Sequence, residues 1–381
     1  MKKRLFTPGP TPVPEHIMLS MAEPLIHHRH PEFQELFKRV AENLQYLFQT
    51  SNDVLTLTSS GTGAMEAAVA NLVSPGDTVI YVNGGKFGER WGELSHTYGA
   101  NAVEIFVDWG EAVTADQVRE ALKEHPEAKA VFVTHSETST GVAIDVEKIA
   151  RVVHENSEAV IVVDGISAVG ALEMRMDAWN LDVVVTGSQK GLMIPPGLAF
   201  IALNDRAWEL VERSRSPHYY FDLLRARKSF KENDTPWTPA ISLFIGLDAA
   251  LEMIRRETVE AIWRRHARLA AAVRAGIQAL GLKLLSKSPS NALTAVWNPE
   301  GCDAKLFNTA LKSTYGITVA GGQGHLKGKI FRISHLGYYD ELDVIGVISA
   351  VELALRDAGY RFEATSGVSA AQQVFHNESL S

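Results

Sequence analysis

The strongest constraint in this sequence is a series of seven short, β-prone apolar runs, at 54–57, 78–82, 102–107, 130–134, 160–164, 182–186 and 198–203. Several are apolar at successive positions rather than at alternate ones. Successive side chains of a strand point to opposite faces, so such strands are buried on both sides. A sheet of that kind must be covered by helices on both faces, which makes it mainly parallel. Helical stretches at 63–72, 114–123 and 146–155 fall between the runs. Ahead of them, Phe33, Leu36, Phe37, Val40, Leu44 and Leu47 recur at helical spacing. Residues 21–250 therefore read as one α/β domain around a seven-stranded, mainly parallel sheet.

On either side the pattern changes. The segment Thr7-Pro8-Gly9-Pro10-Thr11-Pro12 cannot be helical, because alternating prolines fix an extended path and remove N–H donors. It predicts an arm over residues 1–20, lying on the surface or on a partner. Pro236 and Pro239 end the large domain, and a helical tract over 241–280 leads into a smaller α+β domain, 251–363. That domain holds strands near 292–297, 317–319 and 329–334, with helices near 304–314 and 342–358. Residues 364–381, rich in small and polar types, predict a flexible tail.

Composition narrows the function. The net charge is −8 with no long basic run, which disfavours nucleic acid. The longest apolar stretch, 159–172, contains Asp164 and two glycines and cannot span a membrane. No signal-peptide stretch opens the chain. Cys302 is the sole cysteine, which excludes an internal disulfide and any zinc or iron–sulfur site built from cysteines. These features fit a cytoplasmic protein. Three histidines near 27–30 lack a matching ligand set, so no metal is expected.

Four segments carry chemistry. The run 182–186 leads through Gly187-Ser188-Gln189 to Lys190. Loops at the carboxyl ends of such strands form the ligand crevice, and a lysine desolvated there becomes a usable amine nucleophile or base; the alternative is a plain turn lysine. Val160-Ile161-Val162-Val163 ends in Asp164, which could hold a cation or a protonated ring nitrogen, or simply cap a turn. Thr58-Ser59-Ser60-Gly61-Thr62-Gly63-Ala64 joins a strand to a helix, and its small residues, N–H groups and hydroxyls suit an anion; it could equally be an ordinary cap. Arg332 interrupts the apolar run Ile330-Phe331-Arg332-Ile333, where a guanidinium wants a carboxylate, either internal or from a substrate. One cofactor uses all four. Pyridoxal 5′-phosphate needs an amine, an acid at the pyridine nitrogen, a phosphate cradle and a cation for the substrate carboxylate.

At these residues the sequence resembles the class V aminotransferases of fold type I, in the branch of alanine–glyoxylate and serine–glyoxylate or serine–pyruvate aminotransferases. The resemblance covers about residues 5–360. It rests on Pro8-Gly9-Pro10, Ser60-Gly61-Thr62-Gly63, Asn83-Gly84, Ser139-Thr140-Gly141, Asp164, Gly187-Ser188-Gln189-Lys190-Gly191, Thr235-Pro236-Trp237-Thr238-Pro239 and Arg332-Ile333. It implies that Lys190 carries the cofactor and later shuttles a proton, with Asp164 at the pyridine nitrogen. Ser60, Thr62, Gly63 and Gln189 would form the phosphate side, Phe87 would stack on the ring, Thr138 would bond the ring oxygen or nearby cofactor atoms, and Ala64 and Ile166 would also bind the cofactor. Thr238 or Thr235 would reach the phosphate of a neighbouring subunit in a homodimer. Pro8, Gly9 and Arg332 would meet the substrate, with Arg332 on its α-carboxylate. Phe87 stands where some relatives carry tryptophan, and Ala64 where some carry histidine. The implied activity is ping-pong transamination between a small L-amino acid, alanine or serine, and glyoxylate or pyruvate. An aspartate or phosphoserine aminotransferase is the alternative within the class, and a non-catalytic subunit of a larger complex the alternative outside it. Cysteine desulfurase chemistry is disfavoured, because Cys302 lies in no recognisable catalytic loop.

Overall fold

A computed structural model describes residues 2–378. Its strands are β1 (Arg4–Phe6), β2 (Val54–Leu57), β3 (Thr78–Asn83), β4 (Asn101–Phe106), β5 (Ala130–Thr134), β6 (Ser136–Glu137), β7 (Val142–Ala143), β8 (Val160–Asp164), β9 (Val183–Gly187), β10 (Ala199–Leu203), β11 (Leu293–Trp297), β12 (Ile317–Gly321) and β13 (Ile330–Ser334). Its helices are α1 (Glu15–Ser20), α2 (Pro31–Phe48), α3 (Gly61–Leu72), α4 (Lys86–Thr97), α5 (Ala115–Glu124), α6 (Val146–Asn156), α7 (Asp205–Arg213), α8 (Leu223–Phe230), α9 (Ile241–Glu257), α10 (Val259–Ala279), α11 (Ala304–Thr309), α12 (Glu341–Asp357) and α13 (Ser366–Glu378).

The seven apolar runs assemble into one seven-stranded sheet in the order β2-β10-β9-β8-β5-β3-β4. Pairing is parallel from β4 through β9, and β10 runs antiparallel to both of its neighbours. Strands β5, β8, β9 and β10 are buried at every residue. This is the outcome expected for apolar strands covered on both faces. The register sets Thr134 beside Asp164 and Asp164 beside Val185. The ends of β5, β8 and β9 therefore open at one edge of the sheet, and that edge carries the site.

The second sheet has the order β1-β12-β13-β11. Its first strand comes from the N-terminal arm, which differs from the expectation of a segment lying outside. Leu5 pairs with Thr318, Phe6 is buried against the ring of Tyr339, and the Tyr339 hydroxyl donates to the Leu5 carbonyl. An edge strand with free backbone groups captures the extended arm by ordinary strand addition. The tract 241–280 is likewise two helices, because Thr258 adopts φ +73° and breaks it while capping α10.

The end of the chain departs furthest from its expected form. Residues 366–378 form α13, packed along α10, with Ala371 and Phe375 buried and Val368 and Val374 half-buried against the same cluster. Apolar residues at helical spacing are few here but sufficient, because α10 supplies the other wall. Residues 379–381 lie outside the described part.

Candidate active site

The site grows from the two central strand ends. Strand β9 stops at Gly187, and Ser188 folds the following loop back: its hydroxyl donates to the Pro195 carbonyl at 2.8 Å and accepts from the Leu198 N–H at 3.2 Å. That turn presents Lys190, 9% exposed, towards the arm, where its Nζ donates to the Pro8 carbonyl. The arm is tied down in return, since the Thr11 hydroxyl donates to the Lys190 carbonyl at 3.0 Å. Gly9 has φ +147°, and any Cβ there would collide with the Lys190 amine. Glycine is required at that point for both reasons.

Asp164 ends β8 and is 3% exposed. Among the described residues its carboxylate accepts one hydrogen bond, from the Ile166 N–H at 2.8 Å. Burial drives its pKa up to about 7, against the pull of the Ile166 N–H and of Lys190. Burial drives Lys190 the other way, down to about 8, with Asp164 opposing the fall and Arg332 assisting it. The two groups are thus the under-solvated ends of one polar gap.

A cavity of about 200 Å³ connects them, lined by Gly9, Pro10, Ser60, Gly61, Thr62, Phe87, Arg90, Ser136, Thr138, Asp164, Ile166, Ser167, Gln189, Lys190 and Pro196. A larger cavity of about 630 Å³ lies beside Trp297 and Tyr360, but its charged residues, Lys283, Glu300 and Lys329, are all exposed. Chemistry rather than size marks the smaller one as the site. On one side it meets the start of α3. Ser60 caps this helix in an extended conformation without a side-chain bond to it, so N–H groups at the helix start remain for an anion. Gln189 Oε1 is buried without a partner on the same side of the loop. The Arg90 guanidinium lies over the Phe87 ring at 5.0 Å and donates to the Thr62 hydroxyl at 3.0 Å.

Of the residues singled out from sequence, Gly9, Ser60, Thr62, Phe87, Thr138, Asp164, Ile166, Gln189 and Lys190 line this cavity, and Pro8 touches it through its carbonyl. Gly63 and Ala64 are buried behind Thr62 and do not line it. Arg332 stands just outside, donating to the Thr138 carbonyl at 2.6 Å and to the Gly321 carbonyl at 2.7 and 3.0 Å. Burial lowers its pKa to about 10, so it stays charged at neutral pH. Thr235 and Thr238 are not brought to the cavity of their own chain: the Thr235 hydroxyl donates to the Trp237 carbonyl, and Thr238 is exposed. Ser136, Ser167 and Arg90 also line the cavity and carry no assignment from the sequence. Sequence reasoning also missed Glu137, a buried carboxylate that accepts from the Phe87 and Gly88 N–H groups and from Ser139.

The family model described as aminotransferase class-V matches residues 5–343. The chain belongs to the class V aminotransferases. It is 45% identical to a protein named soluble hydrogenase, small subunit, from Synechococcus sp., covering 98% of each chain. It is 37% identical to an L-aspartate–glyoxylate aminotransferase from Paracoccus denitrificans, over 97% of this chain and 95% of that one. Among solved structures, the ureidoglycine–glyoxylate aminotransferase from Bacillus subtilis superimposes with a TM-score of 0.94 at 28% identity, covering 99% of each chain. As a member of this family the protein is an aminotransferase with a type I α/β fold. Among the described residues no helix is long and apolar enough to cross a membrane.

Proposed function

We propose that this class V aminotransferase moves an amino group from a small L-amino acid, alanine or serine, to glyoxylate or pyruvate, using pyridoxal 5′-phosphate in two alternating half-reactions. The observation that carries the reading is the pairing of Lys190 and Asp164. They share one cavity, both are buried, and their pKa values are driven towards each other. Titratable groups displaced in this way are what acid–base chemistry requires.

The residues fit the cofactor. Asp164 is a buried carboxylate with one hydrogen bond, which a protonated ring nitrogen would complete. The start of α3, Thr62 and Arg90 surround one end of the cavity, and their N–H and hydroxyl donors suit a phosphate. Phe87 offers a ring face for stacking. When bound, the cofactor supplies an aldehyde to receive the amino group and a ring to withdraw the electrons left by the broken Cα–H bond.

The chain's own residues do the rest. Lys190, unprotonated in an appreciable fraction near neutral pH, would take the Cα proton on Nζ and return it on the far side of the amino nitrogen, two atoms from Cα, which regenerates the free amine. Asp164 stays ionised against a cation and fixes a proton on that neighbouring nitrogen. Arg332 pairs with the substrate α-carboxylate, its fork already aligned by two carbonyls. The second half-reaction reverses these roles with the oxo acid. Arg90 sits against Thr62 and Phe87, on the phosphate side, and among the described residues no other arginine lines the cavity, which favours donors with small side chains over aspartate. The exposed Thr238 and the stacked rings of Tyr219, Tyr220 and Trp237 beside it suit a contact with a second copy, so that a homodimer would complete each phosphate site.

The hydrogenase name of one relative describes that protein. Cys302 as the sole cysteine cannot supply the ligand set of an iron–sulfur or nickel–iron centre. The deciding experiment records the visible absorption of the protein supplied with pyridoxal phosphate while L-alanine, L-serine and L-aspartate are added separately. A cofactor band that bleaches with alanine or serine, and that Lys190→Ala abolishes, is the expected result. A folded protein that develops no band sinks the cofactor assignment, and bleaching by aspartate alone overturns the donor assignment.

A further inference from the structure

Three histidines are buried among the described residues, and two are fully satisfied. His266 bonds the Ile262 carbonyl through Nδ1 and the Gly337 N–H through Nε2. His335 bonds the Asn291 carbonyl and the Thr294 hydroxyl. His135, 6% exposed, has a buried Nδ1 with no partner at all. A buried polar atom without a partner is costly, and this one belongs to a residue that borders a cleft. Burial also lowers the pKa of His135 to about 4, so the ring is neutral at physiological pH and offers one donor and one acceptor.

His135 faces away from the catalytic cavity into a separate cleft of about 500 Å³ between the large sheet and α10. The aromatic walls of this cleft are Trp179, whose ring meets the imidazole edge-on at 6.3 Å, and Trp263, overlaid by the Arg175 guanidinium. Arg175 is already paired with Glu173. Glu260 and Arg264, one turn apart on α10, line the same cleft and make no ion pair with each other or with any other described residue. One free cation and one free anion beside two indoles and an unsatisfied imidazole form a matched set.

We propose that this cleft is a second ligand site, for an aromatic amino acid that carries a polar ring group. The α-carboxylate meets Arg264, the α-ammonium meets Glu260, the ring packs against the indoles, and its hydroxyl or ring N–H bonds the His135 imidazole, whose half-turn about Cβ–Cγ brings the unpartnered nitrogen to the cleft. The site backs directly onto the catalytic one: the His135 N–H donates to the Asp164 carbonyl at 3.0 Å, and Ser136 lines the catalytic cavity.

Calorimetric titration of the cofactor-loaded protein with L-tyrosine, L-phenylalanine, tyramine and 4-hydroxyphenylacetate tests this. Tyrosine should bind best. Arg264→Ala should weaken tyrosine about tenfold or more and leave tyramine unchanged; Glu260→Ala should do the converse for 4-hydroxyphenylacetate. His135→Phe, which keeps the volume, should reduce tyrosine to the affinity of phenylalanine. Arg332→Ala should leave all four affinities in place. Binding that disappears with Arg332→Ala but survives Arg264→Ala and Glu260→Ala would place the ligand in the catalytic cavity and overturn the proposal. So would the absence of any binding heat.

Discussion

Lys190 and Asp164 hang from the carboxyl ends of neighbouring strands of the large sheet, whereas Arg332 stands in the middle of a strand of the small one, between Ala295 and Ala320. All three are buried charges, yet they are treated differently. Asp164 receives one hydrogen bond and Lys190 gives one, while Arg332 makes three to two carbonyl oxygens. Burial consequently moves Asp164 and Lys190 to about 7 and 8, where a proton is easily exchanged, but leaves Arg332 charged. The difference follows from position. A strand end opens into a loop, where a side chain can be desolvated without finding a partner. Mid-strand, a long side chain lies against carbonyls held by the neighbouring backbone. Lys190, which must gain and lose a proton, and Asp164, whose charge must answer a cation, sit in the first environment, and the group that must only bind the substrate sits in the second.

The sharpest way to break this contrast is Asp164→Asn, which keeps the shape and the Ile166 bond but removes the charge. Activity should fall about 10²-fold or more. Stability should respond with a defined sign. Asp164 is raised from 3.8 to about 7, so its contribution is fully present below pH 4 and is lost as the pH climbs through 7. Lys190 is lowered from 10.5 to about 8, so its contribution is present above 10.5 and lost as the pH falls through 8. Both penalties therefore coincide between pH 7 and 8. In protein stripped of cofactor, Asp164→Asn should melt higher than the parent. The gap should widen from pH 4.5 to 7 towards roughly 4 kcal/mol and then level off. A gap independent of pH would mean that Asp164 does not carry a buried charge.

Arg332→Lys probes the other half of the contrast. An ammonium cannot reproduce a planar fork held by two carbonyls, so it should lose alignment rather than charge. The KM for the amino donor should rise about tenfold, corresponding to about 1.4 kcal/mol, with a smaller change in kcat. A fall confined to kcat would show that Arg332 acts on the reacting atoms and not on the bound carboxylate.

The same division explains what the sequence disclosed. The large sheet was legible because most of its strands are apolar on both faces, and β8 and β9 lead directly to a marked residue, so the sequence alone places Asp164 and Lys190 at loop mouths. Arg332 was legible as a lone charge in an apolar strand. Helix α4 was not, because Gly88 and Gly92 interrupt its pattern, although they are needed where it crosses the backbone of Val82 and the ring of Tyr81. With α4 unseen, the position of Arg90 one turn beyond Phe87 was invisible. The arm and α13 were hidden for a related reason. Each is weakly patterned by itself and is fixed by a partner surface distant in sequence, β12 for one and α10 for the other.

Glu137 tests whether strand ends always leave charges under-bonded. It lies just past β5, on the large-sheet side, yet four donors satisfy it: Oε2 takes the Phe87 and Gly88 N–H groups at 3.0 and 2.9 Å, and Oε1 takes the N–H and hydroxyl of Ser139 at 3.0 and 2.5 Å. Phe87 and Gly88 are the second and third residues of α4, whose capping residue, Gly85, has no side chain to offer. Glu137 therefore caps that helix from about fifty residues away and holds Phe87 and Arg90 against the cavity. Glu137→Gln would turn an amide NH₂ towards one pair of donors and lose those two bonds, for about 2 kcal/mol of stability. Its effect on turnover should be the smallest of the three, a few-fold, because no reacting atom is touched. Its charge is nevertheless felt, since Glu137 helps raise Asp164. Removing it should let Asp164 ionise more easily and shift the acid limb of the kcat profile to lower pH by less than about one unit. If that limb stays fixed while stability falls, Glu137 is a cap and nothing more, and the under-bonded pair governs the pH response alone.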